Sequence, residues 1–379
     1  MSGPPADGPF RFADALEAFG TMSKAVFRAD VPTGFGPGID SCVRQVLAAR
    51  RQEFPAMTVL DTTRRPLAIE RVPLEPHLLY PLYAIGLRGG RLLDGLGHVA
   101  GADGTLYVES FRDRSFLGAS VYAGCDFAGL ASAPAVDMPG RYLSLVYGIG
   151  GSNWYHWLVE NLGRLCLAGA VPGADGLTYI VPGDLSPARR ESLALIVPPE
   201  RWIAHDGRVW RCGELWLPSF GAVRGSVRPE PLAWLRRVLA ERLGLGAPAG
   251  TRLYVSRGDA GFRRLVNEPA VIETLARFGF EAVALTGMSF ARQAQLFHDA
   301  AIVVAPHGAG LADLVLARPG IQVVELLPPH GDGVLRVYHT LAMLCGQRWL
   351  GVKCPSVRGP DGDFSLDPSV LDAILPSLS

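Results

Sequence analysis

Lysine is nearly absent. Only Lys24 and Lys353 occur in 379 residues, so the positive charge is almost all arginine, and 36 basic side chains are matched by 36 acidic ones. Without net charge there is no chain-wide basic field of the kind that holds nucleic acid non-specifically. Cysteine is sparse as well: Cys42, Cys125, Cys166, Cys212, Cys345 and Cys354, none in C-x-x-C spacing. Scattered thiols in a long chain argue against a disulfide frame or a zinc site and for reduced core residues, so no metal site is expected. An uninterrupted apolar run of about 18 residues is missing, so no transmembrane helix is expected. The longest apolar stretch, 300–317, is broken by Pro306, His307 and Asp313. The opening MSGPPADGPFRFADALEAFG has no basic start followed by an apolar run, so no secretory signal is expected. The expectation is a soluble cytoplasmic protein, with peripheral contact to the inner membrane and homo-oligomerisation left open.

What is present describes a large globular chain. Hydrophobic residues make up 49% and charged residues 19%, which excludes a disordered chain. Gly and Pro, at 45 and 30, are about a fifth of the residues but follow no period. Residues 1–40 read as a variable lead-in and 41–245 as an N-terminal α/β domain. The punctuation GLGAPAG at 244–250 reads as a link. Residues 250–355 then alternate continuous apolar strands with helices, the pattern of a parallel sheet covered on both faces. The expected strands there are 252–256, 281–285, 301–305, 321–326 and 348–352. The expected helices are 268–278, with Asn267 as N-cap, 289–300, with Ser289 as N-cap, 311–317 and 334–345. In the first domain, helices are expected over 154–168, 188–196 and 229–243, and strands over 105–109, 142–147, 177–181 and 214–218. The tail 356–379 reads as a further helix packing back on the N-terminal domain.

A doubly wound sheet binds ligands beyond the carboxyl ends of its strands. Three features stand there. Arg257 follows LYVS, His307-Gly308-Ala309-Gly310 follows AAIVVAP, and Glu325 ends IQVVE. Gly308 and Gly310 let backbone approach a ligand closely, and a helix starting there offers free N–H groups to a phosphate. Glu325 could accept ribose hydroxyls. The bland alternative is a tight strand–helix turn with Glu325 on the surface. Asp313 stands where a third glycine would complete G-x-G-x-x-G, which disfavours a dehydrogenase, and no G-K-[ST] marks a P-loop. Arg257, Arg263, Arg264 and Asn267 crowd one strand end, suited to phosphate, or else form a solvated cluster with Arg264 pairing Glu268.

Upstream, His156 and Glu160 stand four residues apart in GSNWYHWLVENLGRL. On a helix they share a face, which suits a general base and its carboxylate orienter, two metal ligands, or a structural hydrogen bond. Asp361-Gly362-Asp363 is a D-x-D, read as turn chemistry and not as a metal clasp.

Several segments in order, NWYHWLVENLGRL, LYVSR, RRLVNE, SFARQAQLF, AAIVVAPHGAGLADLVLARPG and VVELLP, resemble glycosyltransferase family 61 over roughly 150–330. The sequence departs from that pattern at Asp313, where Asn is common, at Gly163, where Pro is frequent, and at Glu160, where Asp is often seen. The resemblance implies a GT-B architecture, two Rossmann-like domains facing a cleft, with the acceptor side on 41–245 and the nucleotide sugar on 250–355. It implies an inverting transfer from a UDP-sugar to a hydroxyl of a saccharide or glycoconjugate, with no cofactor and no essential divalent metal. In that scheme His156 and Glu160 supply the base and its orienter. Arg257, Arg264, Asn267, His307, Gly308, Ala309, Gly310 and Glu325 hold the donor. The alternative from another class is a catalytically silent nucleotide-binding scaffold of a polysaccharide assembly system.

Overall fold

The computed structural model describes residues 41–48, 50–63, 67–74, 77–79, 81–104, 106–107, 110, 129–130, 133–147, 153–223, 226–329, 332–357 and 362–378. The lead-in 1–40, Cys125, Asp361 and most of the strand expected at 105–109 lie outside them. The chain divides into two compact units.

The first unit takes the described residues through Arg50 with Leu78–Ser186 and Val197–Arg224. Its sheet is mixed. Trp202–Ala204, Thr178–Val181, Val136–Ser144 and Trp210–Pro218 run parallel, and Trp210–Pro218 then pairs antiparallel with Leu82–Arg88. The registers Leu143↔Tyr179 and Leu143↔Trp216 put a fully buried Leu143 at the centre. The helix expected over 154–168 is helical but irregular. A π-helix spans His156–Asn161 and a 3-10 helix Leu162–Ala170, with Leu162 N–H reaching back to Trp157 O. Side chains hold this winding in place: Asn161 Nδ2 donates to Leu145 O at 2.9 Å, and buried Arg164 donates twice to Pro218 O, at 3.0 and 2.8 Å.

The second unit takes Arg51–His77, Pro187–Ile196 and Gly225–Ser379. Its seven-stranded sheet runs, from edge to edge, Phe280–Val283, Thr251–Val255, Ala300–Pro306, Gln322–Leu327, Arg348–Lys353, Met57–Asp61 and Ala68–Val72. All neighbours are parallel except the last pair. Counted from Thr251, the chain order across the sheet is 2-1-3-4-5, so the direction of winding reverses between Thr251–Val255 and Ala300–Pro306. Gln322–Leu327 is buried along its whole length, as a strand covered on both faces must be.

The linker at 244–250 is not where the units part. The strand Met57–Asp61 joins the second sheet at Gly351↔Val59, and the helix Pro187–Ala194 packs on Phe290–Asp299, where Glu191 Oε2 accepts Phe290 N–H at 2.6 Å. The tail also departs from expectation. Phe364, Leu366, Val370, Leu371 and Leu375 enter the core of the second unit with Tyr254, Val271 and Leu275. The apolar face of the short helix Ser369–Ile374 is thus buried on the C-terminal sheet.

The α-helix expected at 311–317 is a 3-10 helix over Ala309–Val315. Carbonyls at its end are taken by side chains: Arg236 donates to Val315 O at 2.7 Å and Ala317 O at 3.0 Å, and Gln347 to Leu314 O at 2.8 Å. Cys42, Cys212, Cys345 and Cys354 are buried free thiols, and burial pushes the Cys212 thiol up to about 12. No helix among the described residues is long and apolar enough to cross a membrane, and no cluster of three or more His, Cys, Asp or Glu among them could hold a metal ion.

Candidate active site

The reversal of winding in the second unit places two loops side by side. One follows Thr251–Val255 and carries Arg257; the other follows Ala300–Pro306 and carries His307 and Gly308. Arg257 is fixed from behind. Glu268, at the start of its helix, accepts Tyr254 Oη–H at 2.8 Å and Arg257 N–H at 3.0 Å on the same oxygen. The Arg257 guanidinium lies against Gly308, so that a Cβ built there would overlap Nη1 and come within 2.6 Å of Cζ. Gly308 is extended, at φ 177°, so what demands glycine here is space and not a left-handed backbone. Gly310 is also close-packed, its missing Cβ facing Leu285 and Val255.

Arg263 stands beside Arg257. It is the one described non-glycine residue with positive φ, at 53°, and its guanidinium stacks 4.8 Å over the ring of Phe262. Burial lowers the pKa of both arginines, and the charge of Arg263 lowers that of Arg257 further. Arg257 Nη2 donates to Phe262 O at 3.3 Å, but its buried Nε has no hydrogen-bond partner. Neither arginine makes a carboxylate ion pair among the described residues. Asp259 and Glu268 act on Arg257 from nearby, yet two partly desolvated guanidinium groups without a carboxylate ion pair have the chemistry to hold an anion.

His307 is buried behind Gly308. Its Nδ1 meets Glu325 Oε1 at 2.5 Å, and Glu325 Oε2 accepts Trp349 Nε1–H at 2.9 Å. The Tyr338 ring is edge-on to His307 at 5.1 Å, and burial together with Glu325 raises the Tyr338 pKa. Glu325 is 0% exposed. Its two oxygens, where a ribose contact is expected, are engaged by His307 and Trp349.

Two other expected donor-site residues turn elsewhere. Arg264 pairs with Asp363 instead of with Glu268: Nε and Nη2 donate to Oδ2 at 3.1 and 2.9 Å, and the Arg264 backbone N–H donates to Oδ1 at 2.8 Å. Asp363, the second acid of the D-x-D, is thereby a structural partner. Asn267 makes no side-chain cap; its amide donates to Leu366 O at 2.7 Å and accepts Leu366 N–H at 3.1 Å. Both residues clasp the tail, a task that no local pattern announces. The short 3-10 helix after Gly308 also offers a smaller dipole than the α-helix expected there. Arg263 belongs to the arginine cluster expected at this strand end, whereas no sequence pattern points to Tyr338 or Trp349. Those two come from a distant helix and strand.

In the first unit, Asn153 Oδ1 accepts Tyr155 N–H at 2.9 Å and starts the helical segment. His156 Nδ1 lies 2.9 Å from Glu160 Oε2, and Tyr147 Oη–H donates to the same oxygen at 3.1 Å. Glu160 is 1% exposed and His156 is 20% exposed. The carboxylate is therefore an inward anchor, and the imidazole is the member of the pair that solvent reaches.

Residues 154–324 match the family model described as Glycosyltransferase 61. The chain carries a glycosyltransferase family 61 domain. No curated protein matches the chain. The matched span begins two residues before His156 and ends one residue before Glu325. It takes in Arg257, Arg263 and the whole His307–Gly310 turn, while Asp363 and Leu366, which clasp Arg264 and Asn267, lie beyond it.

Proposed function

We propose that the protein is an inverting transferase that moves a sugar from a UDP-sugar to a hydroxyl of a saccharide acceptor. The observation that carries this reading is the pair Arg257 and Arg263, neither in a carboxylate ion pair, beside Gly308 at the point where the winding of the second sheet reverses. The donor diphosphate rests on these guanidinium groups and on backbone N–H groups of the Gly308–Gly310 turn. His307, held by Glu325, supports that turn from behind. His156, oriented by Glu160, takes the proton of the acceptor hydroxyl. The acceptor oxygen forms a bond to the anomeric carbon as the bond from that carbon to the UDP oxygen breaks, with inversion. Negative charge grows on the departing diphosphate, so donors already in place act most strongly in the transition state. The guanidinium groups meet that charge, and this reading needs no divalent metal.

The test is turnover of a panel of nucleotide sugars with saccharide acceptors, with and without chelator. Removing one preorganised donor costs on the order of a hundredfold in rate, so Arg257→Ala should lose turnover while circular dichroism stays native. Near-normal turnover in that variant refutes the assignment. UDP binding without turnover across the panel favours the silent scaffold instead.

A further inference from the structure

The sheet of the second unit has another opening, at the amino-terminal ends of its parallel strands and so at the opposite edge from Arg257 and Gly308. A cavity of about 430 Å³ lies there, lined by Arg252, Arg318 and Arg348 with Ile302, Ile321 and Leu378, and no Asp or Glu lines it. Arg252 precedes the buried part of its strand, Arg318 follows the 3-10 helix, and Arg348 opens the strand Arg348–Lys353. The parallel registers Arg252↔Ile302 and Gln322↔Arg348 bring these strand starts side by side.

None of the three arginines makes an ion pair among the described residues. Arg252 donates to Phe278 O at 3.1 Å. The Nε of Arg318 is buried and has no hydrogen-bond partner. A buried N–H without an acceptor is destabilising, and an incoming anionic oxygen supplies what it lacks. Three arginines lining one cavity, of which Arg252 also lies 6.0 Å over the Phe280 ring, supply the donors and the charge that a phosphate needs. A second cavity of about 210 Å³ shares Arg318 and Pro319 with the first and is walled mainly by Leu243, Leu245, Val315 and Leu316, with Arg236 and His298 also on its lining. A charged chamber thus adjoins a mainly apolar one.

We propose that this end of the sheet is a second phosphate-binding site, with Arg252, Arg318 and Arg348 as its donors and the adjoining apolar chamber receiving any hydrocarbon the phosphate carries. Its chemistry fits a soluble phosphate or a lipid phosphate headgroup, and it is independent of the donor reading given above.

The experiment measures binding of the full chain to inorganic pyrophosphate by calorimetry in the presence of saturating UDP, which occupies the proposed donor site. In a second arm it measures binding to vesicles of equal parts phosphatidylcholine and phosphatidylglycerol, against vesicles of phosphatidylcholine alone. Wild type should bind at least one probe. Arg348→Ala, and the double variant Arg318→Ala with Arg348→Ala, should weaken that binding roughly tenfold or more, with UDP affinity and circular dichroism unchanged. A response to pyrophosphate alone supports a soluble phosphate. A response only to the anionic vesicles supports a headgroup. The proposal falls if neither probe binds, or if binding is the same in the variants. Arg348 is exposed, so its single variant is read even where the double variant does not fold.

Discussion

The guanidinium of Arg257 occupies the volume that a side chain at position 308 would fill. The backbone at Gly308 is extended, and alanine can adopt it without strain. Gly308→Ala therefore acts through Arg257 alone. The expected result is a native fold with UDP affinity reduced on the order of tenfold. A double-mutant cycle with Arg257→Ala checks the mechanism, because once the guanidinium is gone the methyl group displaces nothing. The two losses should fail to add. Additive losses would mean that the two residues act separately.

Arg263 makes a second case in which function and stability pull apart. A left-handed backbone costs a non-glycine residue about 1–2 kcal/mol, and glycine relieves it. Arg263→Gly should hold or raise the melting temperature while weakening UDP binding. Arg263→Ala should weaken binding equally without the gain in stability. A fall in both quantities for the glycine variant would show that the stack on Phe262 supports the fold more than the strain opposes it.

Much of the second unit was legible because its strands are continuous apolar runs and its helices carry local stop and start signals. Ser289 is such a signal: its Oγ accepts Arg292 N–H at 3.3 Å. Asn267 looked equivalent in sequence, yet its amide is taken at both ends by Leu366, which folds back beside it. Arg264 was drawn away in the same manner by Asp363. Both failures have one cause. Side chains with several donors and acceptors satisfy whichever partner the tertiary fold brings within reach, and that partner can be a hundred residues away in sequence. The irregular helix at 156–170 was hidden for a related reason. Its winding is held by contacts of Asn161 with Leu145 O and of Arg164 with Pro218 O.

Glu325 separates a ligand role from a positioning role. In Glu325→Ala, His307 Nδ1 and Trp349 Nε1 both lose their buried partner. Leaving a buried charged network half made costs about 3–5 kcal/mol, so chemical denaturation should report a clear loss of stability. Glu325→Gln keeps the shape and can satisfy one of the two groups, and should lose less. A residue that merely bound ribose would do the reverse, raising KM for the donor with stability unchanged.

In the first unit the order of exposure assigns the parts. Solvent reaches His156 but scarcely reaches Glu160, which is gripped by Tyr147 Oη–H as well. A positioned general base contributes about a hundredfold to ten-thousandfold in rate. His156→Ala should lose kcat on that scale and leave UDP affinity intact, because the proposed reading gives the imidazole the acceptor hydroxyl and not the nucleotide. Glu160→Gln keeps the volume but weakens the anchor, and should lose less. The deciding measurement is the double variant: if Glu160 acts through His156, removing its charge from a chain that already lacks the imidazole changes nothing further. Were the carboxylate itself the base, Glu160→Gln would be the severe variant, and His156→Ala would retain most of its rate.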